Sequence, residues 1–272
     1  MATDAFDIGP DRINQAAWSE TSTLRWFSTF EGWSDPGERA AVSSVVDELR
    51  GAPILDVGVG AGRTTPILRA LSDNYRAIDF SPAMVEICAR KYPDVHVDFG
   101  DARNLSRFAD GSFGLVMFSW NGIDAVSHDD RELVLREAFR VLRPGGVFIF
   151  SSHNKLGPGH GETPWSIRRD DVAHPRRLVH KIRGFRRSLS NHRHLRKLNR
   201  DEGAWSMMNA SAHDFAIVIH YTTLALQLDA LRHVGFDERV DVFDSRRGAP
   251  VLESSDTRRM WWFHFVARRP MT

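Results

Sequence analysis

Apolar positions along this chain alternate between two rhythms. Mostly apolar runs at 53–57, 75–78, 95–99, 113–119 and 147–151 read as strands of a sheet covered on both faces. Between them apolar residues recur at helical spacing, from about 63 to 71, from 82 to about 91, and from 129 to 142. Ser81 as N-cap and Pro82 at the first helical position open the second of these helices. In the third, Val134, Leu135, Ala138, Phe139, Val141 and Leu142 face inward, and Arg143-Pro144-Gly145-Gly146 stops it. Strands alternating with helices predict an α/β fold, a parallel sheet covered on both sides. A further helix over 222–234 precedes strands near 240–243 and 261–267. No helix separates those two strands, so they should pair antiparallel.

Two stretches fall outside this alternation. Residues 1–52 carry Trp18, Trp26, Phe27, Phe30 and Trp33, then an N-cap with proline and glutamate in place, Asp35-Pro36-Gly37-Glu38. Val42, Val45, Val46 and Leu49 then form one face that suits docking on the sheet. The aromatics before them fit either an ordinary packed arm or a hydrophobic lid over a pocket. Residues 152–221 open with glycines and prolines. They continue through Arg168, Arg169, Arg176, Arg177, Lys181, Arg183, Arg186, Arg187, Arg193, Arg196, Lys197 and Arg200, against only Asp170 and Asp171 before Asp201. This reads as an inserted helical cap on the sheet's carboxyl edge. The expected organisation is an arm over 1–52, a core over 53–152, a basic cap over 153–221, and a completing helix and strand pair over 222–272.

Composition narrows the picture only a little. A chain of 272 residues with 42% apolar content buries one large core. A net charge of +1 selects no partner class. The single cysteine, Cys88, excludes an internal disulfide and any C-x-x-C motif. No signal-peptide pattern, no membrane-length apolar run and no internal repeat is evident, so a soluble cytoplasmic protein without a membrane partner is expected.

The turn after the first strand, Asp56-Val57-Gly58-Val59-Gly60-Ala61-Gly62-Arg63, carries the chemistry. Glycines there allow φ > 0 and let a ligand approach the backbone, at the strand end where open α/β sheets bind small molecules. A dinucleotide fingerprint would need Gly or Ala at position 63. Arg63 stands there, and the third glycine comes one residue early. The resulting Asp-x-Gly-x-Gly-x-Gly resembles motif I of class I S-adenosylmethionine (SAM)-dependent methyltransferases. Asp79, Asp101 and Leu142-Arg143-Pro144-Gly145-Gly146 follow in that family's order and spacing over about 50–152.

The resemblance implies a Rossmann-like, seven-stranded, mostly parallel sheet with a reversed last strand, helices on both faces and the inserted cap. It implies SAM as cofactor and S-adenosylhomocysteine as product. Gly58, Gly60 and Gly62 would receive the methionine half, and Asp56 would orient the loop and the ligand's ammonium. Asp79 would accept the ribose hydroxyls, which a carboxylate at that strand end also does in dinucleotide folds. Phe80 and Met84 would flank the adenine, Asp101 would accept from its amino group, and Ala102 would supply a backbone contact. The strand-four tip, Ser119-Trp120-Asn121-Gly122-Ile123-Asp124, would lie beside the sulfonium and the acceptor.

His153, at the end of strand five, is the first candidate base, with anchoring of its loop as the plainer alternative. Asn121 joins it as a hydrogen-bonding group toward ligand or acceptor. Trp26, Trp120, Asp124, His213 and Tyr221 are candidates for the acceptor pocket; Asp124 and His128 are second-line candidates for the base's role, with capping a turn and beginning a helix as their plainer readings. His192 and His194 have no companion ligand set, so no metal is expected. In-line methyl transfer rests on positioning. The expected acceptor is a small aromatic or amino-acid-derived metabolite. The alternative is an RNA methyltransferase whose basic run meets phosphates. That run offers only Trp165 and Phe185 for stacking, and the Asn-Pro-Pro-Tyr-type tetrapeptide is absent, which disfavours a nucleic-acid partner. A non-catalytic nucleoside-binding module is the third class. Oligomeric state is silent, and a homodimer stays open.

Overall fold

The computed structural model describes residues 9–167 and 175–271, so Arg168, Arg169, Asp170 and Asp171 of the basic run lie outside the described residues. The main sheet has seven strands in the order β3-β2-β1-β4-β5-β10-β9. They are β1 (Ile54–Val57), β2 (Tyr75–Asp79), β3 (His96–Phe99), β4 (Phe113–Phe118), β5 (Leu142–His153), β9 (Asp241–Asp244) and β10 (Trp262–Arg268). β1 to β5 run parallel, and β10 runs antiparallel to both β5 and β9. The reversed strand and the antiparallel final pair stand as expected.

β4 and the 146–152 part of β5 are buried throughout because both faces are covered, whereas β3 at the sheet edge is half exposed. Leu55, Val57, Phe148 and Phe150 join one core cluster, and Ile54, Met117, Val147 and Ile149 join the other. Phe150 stacks on Phe148 at 4.6 Å and on Phe265 at 4.9 Å. Each ring so buried contributes roughly 1.5–3 kcal/mol. Helices α6 (Pro82–Lys91) and α7 (His128–Val141) lie near their expected places, while α5 is only Thr65–Arg69. Residues 142–146 already belong to β5, with Leu142 opposite Phe113 before a bulge.

The amino-terminal segment forms α1 (Pro10–Trp18), α2 (Thr21–Ser28), α3 (Pro36–Ser43) and α4 (Val46–Leu49). Asp35 caps α3 through the Glu38 N–H at 2.9 Å, and Glu38 reaches back to the Ser34 N–H at 2.6 Å. The cap holds α8 (Pro175–Leu195), but it also contains a three-stranded antiparallel sheet of β6 (Arg200–Asp201), β7 (Trp205–Ala210) and β8 (Ile217–Thr222). The helical expectation had no place for that sheet. A bridge between Asn154 and Thr222 joins it to the end of β5. Helix α9 (Leu224–Val234) returns the chain to the main sheet, capped by Thr223.

Asn14 in α1 covers the outer edge of β8. Its amide donates to Val218 O at 2.8 Å and to Ala125 O at 3.1 Å, and its carbonyl accepts from Val218 N at 2.9 Å. An edge strand leaves backbone groups unpaired, and here one side chain satisfies them.

Candidate functional site

Gly58, Gly60 and Gly62 all have positive φ, 66°, 57° and 82°. Gly58 N and Val59 N both donate to Ile78 O, which ties the turn to β2. A Cβ on Gly58 would meet the Phe118 ring at 2.7 Å, and one on Gly62 would meet the Tyr92 ring at 2.5 Å. A Cβ on Gly60 would meet nothing within 4 Å. The middle glycine therefore faces open space.

Asp79 closes β2 beside that space. Its Oδ2 accepts from Gly60 N at 2.7 Å and its Oδ1 from Ser81 N at 2.8 Å. Burial pushes its carboxyl up to about 6 against these two hydrogen bonds. Asp56 lies beneath the turn, 1% exposed, where Oδ2 accepts from the Thr64 hydroxyl at 2.8 Å and the Tyr75 hydroxyl at 2.7 Å. It thus orients the loop. Its Oδ1 is buried and has no partner among the described residues, and burial pushes this carboxyl up to about 6 as well.

Among the residues expected to face the adenine, Phe80 stacks on Phe99 at 6.2 Å, and Met84 and Ala102 are buried. Arg103 grips both oxygens of Asp101 and extends to Asp130 at 2.8 Å and to Asp11 of α1 at 3.1 Å. An amino group approaching Asp101 therefore shares its carboxylate with this guanidinium. Arg103 escaped the sequence reading, although a cation two residues from a candidate carboxylate was the available signal.

At the tip of β4, the Ser119 hydroxyl is committed to protein partners. It donates to Glu38, within a buried cluster where Glu38 takes both Arg63 nitrogens at 2.7 Å. Burial pushes the Glu38 carboxyl up, but Arg63 outweighs it and holds the carboxyl below its ordinary range. Trp120 and Asn121 follow in consecutive left-handed conformations, φ 51° and 58°. The Trp120 ring lies over the Arg63 guanidinium at 5.0 Å and against Trp26 at 5.4 Å. Phe27 and Phe30 complete the cluster, and His213 from the cap stacks on Phe27 at 5.9 Å. Trp26, Trp120 and His213 thus meet, from three distant parts of the chain. Burial lowers the His213 pKa.

Asp124 is fully buried in a 3₁₀ turn over Gly122–Ala125, so it cannot line the acceptor pocket as expected. Its Oδ1 accepts from Arg131 and from the Ser152 hydroxyl, each at 2.6 Å, and its Oδ2 meets both His153 N and Nδ1 at 2.7 Å. Arg131 also reaches Gln227 Oε1 at 2.5 Å. This network fixes the imidazole, with Nδ1–H on the carboxylate. His153 Nε2 lies 3.4 Å from Asn121 Nδ2, and the ring lies 5.3 Å from that of Tyr221. The Tyr221 hydroxyl donates to Gly159 O at 3.1 Å, so its ring, rather than its oxygen, faces His153. His128 begins α7 away from this group, stacked on Trp205 at 3.9 Å. Among the described residues no group of three or more His, Cys, Asp or Glu could hold a metal ion.

Residues 54–146 match the model of a family described as a methyltransferase domain. A demethylmenaquinone methyltransferase of Renibacterium salmoninarum is 34% identical over 122 residues, covering 44% of this chain and 50% of that one. A 2-methyl-6-phytyl-1,4-hydroquinone methyltransferase of Synechocystis sp. is 36% identical over 110 residues, covering 39% of this chain and 33% of that one. The chain spans about half the length of the curated relatives it matches. Among solved structures, a 1,6-didemethyltoxoflavin-N1-methyltransferase of Burkholderia thailandensis with bound S-adenosylhomocysteine is similar in fold. Its TM-score is 0.59 at 15% identity, covering 98% of this chain and 93% of that one. The glycine turn, the acid closing β2 and the first four strands all fall within residues 54–146, the segment of this chain that is similar to a methyltransferase domain.

Proposed function

We propose that this protein transfers a methyl group from SAM to a small, planar, ring-bearing acceptor with an ionisable O–H or N–H, and that His153 is the base. The observation that carries this reading is the Asp124–His153 pair, one buried carboxylate oxygen holding both the backbone N–H and Nδ1 of the histidine at 2.7 Å. That arrangement leaves Nε2 as the unprotonated, proton-accepting nitrogen, with the Asn121 amide nitrogen 3.4 Å away as its donor.

The residues present fit the cofactor. The space in front of Gly60 is open to it, and the Asp79 carboxylate stands beside that space at the end of β2. When bound, SAM supplies a methyl group on a positively charged sulfur. Asp79 in its ionised form would accept from the ribose hydroxyls, and Phe80 would cover one face of the base. Trp26, Phe27, Trp120 and the Tyr221 ring would flank the acceptor and exclude water. His153 Nε2 would take the acceptor's proton, and the Asp124 carboxylate would stabilise the imidazolium so formed. Relatives named for demethylmenaquinone and for 2-methyl-6-phytyl-1,4-hydroquinone methylation support a ring acceptor.

The test pairs methyl-labelled SAM with a panel of hydroquinones, phenols and ring amines, and with total RNA. Label is expected in a ring acceptor and not in RNA. His153→Ala should lower turnover by roughly 10²–10⁴-fold, leave S-adenosylhomocysteine affinity unchanged, and recover in part with added imidazole. Equal turnover in the variant removes His153 as the base.

A further inference from the structure

Helix α8, 21 residues long, is turned the wrong way round for a helix that packs on a domain. Such helices bury an apolar stripe and expose polar residues. Here the inward side is mostly small and polar, with Leu195 at the helix end the exception, buried against Met207 and Val218. Gly184 sits against Asp214, the Asn191 amide donates to Asp214 O at 2.9 Å, and buried His192 meets Asn209 Oδ1 at 2.8 Å. Apart from Leu195, the apolar side chains described on this helix point outward. Val179, Ile182 and Phe185 are 45%, 67% and 40% exposed, and Leu189 continues the stripe. Trp165, 58% exposed, lies beside the same helix with its ring edge-on to His192, and Ile167 is 67% exposed.

Cations are interleaved with these side chains. Arg183, Arg186 and Arg193 are exposed on the same side and pair with no carboxylate among the described residues. A surface recess of about 540 Å³ is lined by Arg186, Leu189, Ser190, Arg193 and His194. Arg187, farther round the helix, is different, because it is committed to Glu20 and Asp214.

We propose that the outward face of α8 seats the protein on an anionic lipid surface. Guanidiniums would lie at the phosphate level, and Val179, Ile182, Phe185 and Trp165 would enter the headgroup–acyl boundary. An amphipathic helix of low mean hydropathy, with arginines beside exposed aliphatic and aromatic residues, lies in the plane of a bilayer and does not cross it. Among the described residues no helix is long and apolar enough to cross a membrane, which leaves surface contact open. RNA would use the arginines but has no use for Val179 or Ile182, since stacking needs aromatic rings. The aliphatic residues therefore decide for lipid.

The experiment is flotation of the full chain with vesicles of phosphatidylcholine, with and without phosphatidylglycerol. The protein should float only with the anionic vesicles, and less so as salt rises. Arg186→Gln and Arg193→Gln should each lower partitioning roughly five-fold. Ile182→Ser with Phe185→Ser should abolish flotation while melting temperature and S-adenosylhomocysteine affinity hold. No flotation, or flotation indifferent to all four substitutions, overturns the proposal. So does RNA retention, or a dimer, that these variants abolish in a protein that never binds vesicles.

Discussion

Gly60 and Gly62 look interchangeable in the motif, yet their surroundings assign them different work. Alanine at 62 would drive a Cβ into the Tyr92 ring and to 3.0 Å from Cys88 Sγ, at a positive φ. Overpacking and left-handed strain together should cost roughly 2–5 kcal/mol, read as a fall in melting temperature. Alanine at 60 meets no neighbour, so its stability loss should be limited to about 1–2 kcal/mol. Its methyl would instead stand in the cleft, and S-adenosylhomocysteine affinity should fall well beyond that loss. Equal affinities for the two variants, measured by calorimetry, would detach the cleft from the ligand. Asp79 adds a pH dependence. Its carboxyl is raised to about 6 by burial, and only the ionised form accepts from two hydroxyls. Affinity for S-adenosylhomocysteine should therefore weaken about ten-fold per unit as pH falls below that value, with proton release on binding. In the unliganded protein the sign reverses. A folded-state value above the unfolded one means that Asp79 and Asp56 favour folding in acid, and that this contribution is lost as pH rises through about 6.

The elements were legible in proportion to how local their causes are. β1, β4 and the later part of β5 are mostly apolar runs next to glycine turns, and such runs stand out in any buried parallel sheet. β7 and β8 were missed because a dozen cations precede them, which masked Ile217–Thr222, itself a strong strand pattern. The Asp124 network could not be read ahead of the fold, because Arg131, Ser152, His153 and Gln227 come from three separate elements. The docking of α1 was equally invisible, since Asn14 looks like an ordinary polar helix residue until β8 lies beside it. Asn14→Ala removes three hydrogen bonds and leaves Val218 N and O unpaired at a buried edge. A loss of roughly 2–4 kcal/mol is expected. It should appear as faster amide exchange at Val218 and faster proteolysis within α1, with β1 and β4 unaffected. Uniformly faster exchange would mean that α1 is part of the global core, not a separately docked element.

Seen whole, the molecule brings three pieces together: the sheet's carboxyl edge, the amino-terminal arm and the cap. The arm is tied to the sheet by Gln15 donating to Phe80 O at 2.8 Å and by Asp11 on Arg103 at 3.1 Å. It is tied to the cap by Asn14 on Val218 and by Glu20 with Arg187. The first two ties fall on the residues expected beside the adenine, Phe80 and Arg103's partner Asp101. A ligand that settles there orders the anchor points of the arm, and by linkage the arm's docking strengthens its binding. Saturating S-adenosylhomocysteine should therefore slow amide exchange across 10–28, although none of those residues belongs to the matched methyltransferase segment. Asp11→Asn should weaken that protection and raise the ligand's Kd by a few-fold, by removing one charged tie among several. Protection confined to the glycine turn, with 10–28 exchanging at the unliganded rate, would mean that the arm closes on the acceptor alone or remains closed throughout.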